Sequence, residues 1–98
     1  MRKVAVTYYG LLQHIAGNRK NEYSISSDAT VSDLLQLLVE RYGNDFRATI
    51  LTPDWQLQPL AVIQLNGRNI NEIDGLDTVL VDNSKLSIAI IAYLVGGG

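Results

Sequence analysis

Apolar and polar positions along this chain change period several times, and each change marks an element. From Lys3 to Tyr9 (KVAVTYY) the residues are β-branched or aromatic, with Val4, Val6 and Tyr8 sharing one face at a period of two, which predicts a strand. Leu11, Leu12 and Ile15, closed by Ala16-Gly17, predict one helical turn or a compact bend, and Glu22 to Ile25 (EYSI) predicts a second strand returning beside the first. The pattern then switches to helical spacing: Val31, Leu34, Leu35, Leu38, Val39 and Tyr42 form one apolar stripe over about three turns. Thr30 can cap its start, Asp33 stands at the capping-box position, and Gly43 can close its end. Ser32, Gln36, Glu40 and Arg41 keep the opposite side wet.

Asn44 to Pro59 shows no such period and reads as an irregular connection around Pro53, Trp55 and Pro59. Leu60 to Leu65 (LAVIQL) predicts a further strand. Asn66-Gly67 follows it as a hairpin signal, since a type I′ turn needs positive φ at both central residues. Arg68 to Ile70 returns from that turn, Asp74-Gly75 and Asp82-Asn83 mark two more turns, and Lys85 to Tyr93 forms the last strand. Leu86, Ile88, Ile90 and Ala92 alternate there with Ser87, Ala89, Ile91 and Tyr93, so both faces are largely apolar, as in a central strand or one whose open face has a partner.

The order ββαβ(β)β lets the first and last long strands pair in parallel at the centre while the helix crosses one face. This is the ubiquitin-like β-grasp: an α+β fold with a mixed sheet and one main helix. Ninety-eight residues, 47% of them hydrophobic, suffice for one core. The expectation is a single domain over 1–98 with a flexible C-terminal tail over 94–98.

Composition removes several function classes. There is no cysteine, which excludes disulfides, thiolate catalysis and cysteine-ligated metal centres, and is compatible with a reducing compartment. Eight scattered basic residues in a chain of net charge -2 form no run able to release many phosphate counterions, so nucleic acid is not an expected partner. No segment reaches the 18 or so apolar residues of a membrane span. The start, Met1-Arg2-Lys3 before Val4 to Leu12, imitates a signal peptide, but Thr7, Tyr8, Tyr9 and Gly10 interrupt it. A cytoplasmic protein is expected.

Candidate chemistry is sparse inside the domain. His14 is the only histidine, without metal-ligand spacing around it, and reads as a surface residue. Asp74 and Asp77 flank Gly75 and read as turn formers that bond their own backbone rather than as paired acids. No phosphate-cradling glycine motif is present, so the chain is expected to bind no cofactor or metal, and any ATP must be held by a partner.

The residues that stand out are Gly96-Gly97-Gly98, directly behind the apolar run Leu86 to Val95. Glycine backbone passes through gaps too narrow for a Cβ, which suits insertion into another protein's active site. A frayed end or a linker remnant would have the same composition. Beside them, Tyr9 and Ile91, if they lie opposite the helix, would join Tyr93, Leu94 and Val95 in an apolar partner-binding surface.

Taken in order, the motifs resemble the MoaD/ThiS family of ubiquitin-like sulfur carriers. The opening V-A-V-T-Y-Y-G-L-L-Q-H-I-A-G (Val4 to Gly17), A-T-V-S-D-L-L (Ala29 to Leu35), L-N-G-R (Leu65 to Arg68) and G-L-D-T-V-L-V-D (Gly75 to Asp82) are similar to MoaD, whereas the V-G-G-G ending is more like ThiS. Asn83-Ser84 replaces a usual Gly-Asp, and Tyr93-Leu94 stands where many MoaD chains carry Pro-Pro.

The resemblance implies that a ubiquitin-activating-type enzyme uses ATP to adenylate the Gly98 carboxylate, and that a sulfur donor converts it to a thiocarboxylate. Gly97 and Gly96 would clear the partner's channel. The sulfur would pass to a larger synthase subunit or another acceptor enzyme, in molybdopterin, tungsten-cofactor or thiamin biosynthesis. The chain would then be a protein co-substrate or small synthase subunit rather than an enzyme alone. Two other readings remain: a protein modifier joined to lysines through Gly98, and a β-grasp interaction module whose glycines are incidental.

Overall fold

A computed structural model describes residues 2–91. Its strands are β1 (Arg2–Tyr8), β2 (Lys20–Ile25), β3 (Ala61–Leu65), β4 (Arg68–Asn69) and β5 (Ser84–Ile90). Its helices are α1 (Leu11–Ala16), α2 (Val31–Tyr42) and α3 (Asn44–Ile50). The sheet order is β2-β1-β5-β3-β4. β1 and β5 run parallel side by side at its centre, with Val6 opposite Leu86 and Tyr8 opposite Ile88, and every other pairing is antiparallel. This is the β-grasp topology that the element order implies.

Alternation decides which face is covered. Val4, Val6 and Tyr8 of β1, Ile63 and Leu65 of β3, and Leu86 and Ile88 of β5 are all buried, and α2 adds Val31, Leu34, Leu35 and Leu38. These form one core with Phe46, Ile50 and Leu51. Burial of the four α2 side chains contributes roughly 6–12 kcal/mol before conformational entropy is counted.

The start of α2 is capped as its sequence suggests. The Asp33 backbone N–H donates to the Thr30 hydroxyl (3.2 Å), and the Thr30 N–H donates to the Asp33 carboxylate (2.9 Å). Thr30→Ala removes half of this reciprocal pair and is expected to cost about 1 kcal/mol. That lowers the thermal midpoint by roughly 4–8 °C in a domain of this size. An unchanged melt would show that packing alone fixes the helix start.

Three tyrosines close the core where β1, β2 and the end of α2 meet. The Tyr8 hydroxyl donates to Tyr42 (3.4 Å), Tyr42 donates to the Asn21 side-chain oxygen (2.7 Å), and Tyr23 lies 3.2 Å from Tyr42. The Tyr8 ring meets Tyr42 and Phe46 edge-on, with centroids 5.8 and 6.3 Å apart, a favoured aromatic geometry. Burial, followed by hydrogen bonds to Tyr23 and Tyr42, raises the Tyr8 hydroxyl above the usual tyrosine range. At Tyr42 burial also pushes upward, but the Tyr23 and Tyr8 hydroxyls and the Arg41 guanidinium together pull it down.

The expectations need correction at several points. Asn44 to Pro59 is not irregular throughout, because α3 occupies its first part and buries Phe46 and Ile50. A bridge between Leu51 and Leu57 follows it. The first two strands are Arg2–Tyr8 and Lys20–Ile25. The return from the Asn66-Gly67 turn stops at Asn69. Its side-chain oxygen accepts the Asn71 N–H (2.9 Å) and starts a 3₁₀ turn that carries Ile70 into the core.

The turn itself has the expected positive φ at both residues, 52° and 87°. At Asp74 the carboxylate does not cap the turn. The Thr78 hydroxyl accepts the Asp74 N–H (3.1 Å) and donates to the Gly75 carbonyl (2.7 Å). The last strand is described over Ser84–Ile90, and the Ile91 N–H still donates to the Leu60 carbonyl (2.8 Å); Ala92 and Tyr93 of the expected strand lie outside the described residues. Among the described residues no helix is long and apolar enough to cross a membrane.

Candidate functional site

The helices lie on one side of the sheet, so the other face of β1, β3 and β5 is open. Pairing of Ile63 with Ile88 on the core side forces Val62 and Ala89, paired with each other, onto the open side, and the next outward pair is Gln64 with Ser87. The chain leaves β1 at Tyr9, whose N–H donates to the Ile88 carbonyl (3.1 Å), and leaves β5 at Ile91. Tyr9, Val62, Gln64, Ser87, Ala89 and Ile91 line a shallow groove of about 230 Å³. Tyr9 is 50% exposed and Ile91 41%, and such large apolar side chains at a groove mark it as a surface that partners can cover.

The structure therefore brings together two residues named from the sequence, Tyr9 and Ile91. Tyr93, Leu94, Val95, Gly96, Gly97 and Gly98 lie outside the described residues. Val62 and Ala89, which complete the apolar floor, were not among the sequence candidates. Their signal was present in the period of two: each stands between residues that face the core.

The groove holds no titratable group besides the Tyr9 hydroxyl, and among the described residues no cluster of His, Cys, Asp or Glu is placed to hold a metal ion. His14 is exposed on α1. A wider cleft of about 460 Å³ on the helix side, lined by Trp55, Ser32, Asn71 and Asp77 among others, shares no residue with the groove. Its Trp55 indole N–H donates to the Ser32 hydroxyl (3.1 Å) and fastens the loop after α3 to the first turn of α2. The groove's inventory suits recognition rather than bond-making.

A central parallel strand pair, a helix across one face and an apolar groove where the chain runs on toward three glycines define a ubiquitin-like β-grasp protein. The chain belongs to the ThiS family, which it matches over residues 6–98.

It is similar to small archaeal modifier protein 3 of Haloferax volcanii, with 27% identity over 86 residues that span 88% of this chain and 91% of the relative. A candidate sulfur carrier protein of Archaeoglobus fulgidus is 35% identical over 80 residues, 79% of this chain and 88% of that protein. The solution structure of small archaeal modifier protein 1 from Methanosarcina acetivorans superposes with a TM-score of 0.78 at 27% identity, covering 100% of this chain and 98% of that one.

Proposed function

We propose that this protein carries sulfur on its C-terminal glycine. A ubiquitin-activating-type partner binds the open face, holds ATP and joins the Gly98 carboxylate to AMP with release of pyrophosphate. A sulfur nucleophile then attacks the acyl carbon and AMP leaves, so that one carboxylate oxygen has been exchanged for sulfur. The carboxylate needs this activation because its own oxygen is a poor leaving group. Gly96 and Gly97 allow the narrow passage that brings the terminus to the partner's reacting groups. The acceptor would be a larger subunit of molybdopterin-synthase type or another enzyme of molybdopterin, tungsten-cofactor or thiamin biosynthesis.

The observation that carries this reading is that the family match runs through the three glycines to residue 98. Resemblance to the Archaeoglobus fulgidus protein supports sulfur as the cargo. A second reading, conjugation of Gly98 to lysines of other proteins, is favoured by the likeness to a small archaeal modifier protein and shares the adenylation step. ATP–pyrophosphate exchange by the adenylating enzyme from the same source should depend on this chain. Exchange that proceeds equally without it would contradict both readings.

Ile91→Asp places a charge in the groove at a position already 41% exposed. It is expected to raise the KM for this chain in that exchange about tenfold or more, equivalent to about 1.4 kcal/mol. The thermal midpoint should move little. Equal losses of binding and stability would assign Ile91 to the core.

A further inference from the structure

The open face has a second end, chemically unlike the first. All three lysines of the chain, Lys3, Lys20 and Lys85, line one shallow groove of about 200 Å³ with Glu22 and Ala5. Strand register puts them there. Ala5 pairs with Glu22 on one side and with Lys85 on the other, while Thr7 pairs with Lys20 and Ser87, and all of these point away from Val4 and Val6. The three lysines are exposed. One carboxylate, Glu22, shares the groove, and Asp82 at its margin accepts the Lys3 backbone N–H (2.9 Å).

This concentration of lysine runs against the rest of the molecule, which carries five arginines against nine carboxylates outside the groove. Moving along β5 toward the tail, the face passes from Lys85 through Ser87 and Ala89 to Ile91. At about 3.3 Å per residue that path is roughly 20 Å long. Along β5 the face is thus basic at one end, small and neutral in the middle, and apolar where the chain continues toward its glycines, while Lys20, level with Ser87, flanks it from the β2 side.

We propose that the surface receiving this face on the activating enzyme has two parts: an apolar patch beside the channel for the tail, and an acidic strip roughly 20 Å away that pairs with Lys3, Lys20 and Lys85. This rests on the carrier reading and specifies the partner's chemistry. Exposed lysines add little to affinity individually. A like-signed cluster steers encounter and fixes register, so that Gly98 arrives at the channel rather than elsewhere on the enzyme.

The test uses the full chain and the adenylating enzyme of the same source, with association followed by stopped flow and turnover by pyrophosphate exchange. The double variant Lys3→Glu with Lys85→Glu is expected to associate about tenfold or more slowly at low ionic strength. That difference should shrink toward none in high salt, where exposed charges are screened. Glu22→Lys should change the rate in the opposite direction, which a merely damaged fold would not do.

Thermal melts of both variants keep folding separate from docking. Unchanged association in both variants, while deletion of Gly97 and Gly98 still abolishes exchange, would overturn the acidic strip and leave the carrier reading standing. Slowing that is the same at every salt concentration would also overturn it. Failure of the unaltered chain to support exchange would remove the carrier reading and this inference together.

Discussion

Deletion of Gly97 and Gly98 is expected to abolish adenylation while shifting the thermal midpoint by no more than about 2 °C, a few tenths of a kcal/mol at this chain length. Every fully buried side chain among the described residues lies between Val4 and Ile88, so the core is built before the glycines are reached. Activation, on the proposed reading, would act on the terminal carboxylate itself. A shortened chain ends on a different carboxylate, which the partner's channel would hold short of ATP; even a 1 Å misplacement can cost about a hundredfold in rate. Pyrophosphate exchange and a thermal melt on the same sample check both halves. A large fall in midpoint would show that the glycines are structural.

Phe46→Ala should have the largest effect on stability. Phe46 is fully buried and packs against Tyr8 and Tyr42, with centroids 6.3 and 5.5 Å away. Truncation removes the transfer free energy of a large ring and leaves a cavity, together costing about 3–5 kcal/mol. Total stability of such a domain is only about 5–15 kcal/mol, so the midpoint should fall by roughly 15–30 °C. Denaturant melts would measure the loss directly. A loss below about 1 kcal/mol would mean that α3 is peripheral and that the three-tyrosine cluster does not depend on it.

That helix is also what the sequence hid. α2 was legible because six apolar residues repeat at helical spacing between a capping threonine and a glycine. α3 buries only Phe46 and Ile50, one i, i+4 pair in seven residues, and two points define no period. The Asn66-Gly67 turn was legible for a local reason, since its backbone needs positive φ at both residues. The Asp74-Gly75 turn is where it was expected, but the end of the return strand and the bonding of that turn differ because side chains outside the expected pattern, Asn69 and Thr78, supply the decisive hydrogen bonds.

The site divides in the same way. Tyr9 and Ile91 could be named from the period of two, which sets them on the face opposite the helix. The three lysines could not be joined from the sequence, because only the register of β1 with β2 and β5 brings Lys3, Lys20 and Lys85 to one face. The apolar floor made by Val62 and Ala89 needs the β3–β5 pairing in the same sense.

The most direct test of sulfur carriage is the mass of this chain after incubation with its matched activating enzyme, ATP and a sulfide source. Carriage predicts an intact chain heavier by the exchange of one oxygen for sulfur, with the change mapped to Gly98 and lost when ATP is omitted. An unchanged mass despite active pyrophosphate exchange, or Gly98 found only in isopeptide linkage to lysines of other proteins, would contradict it.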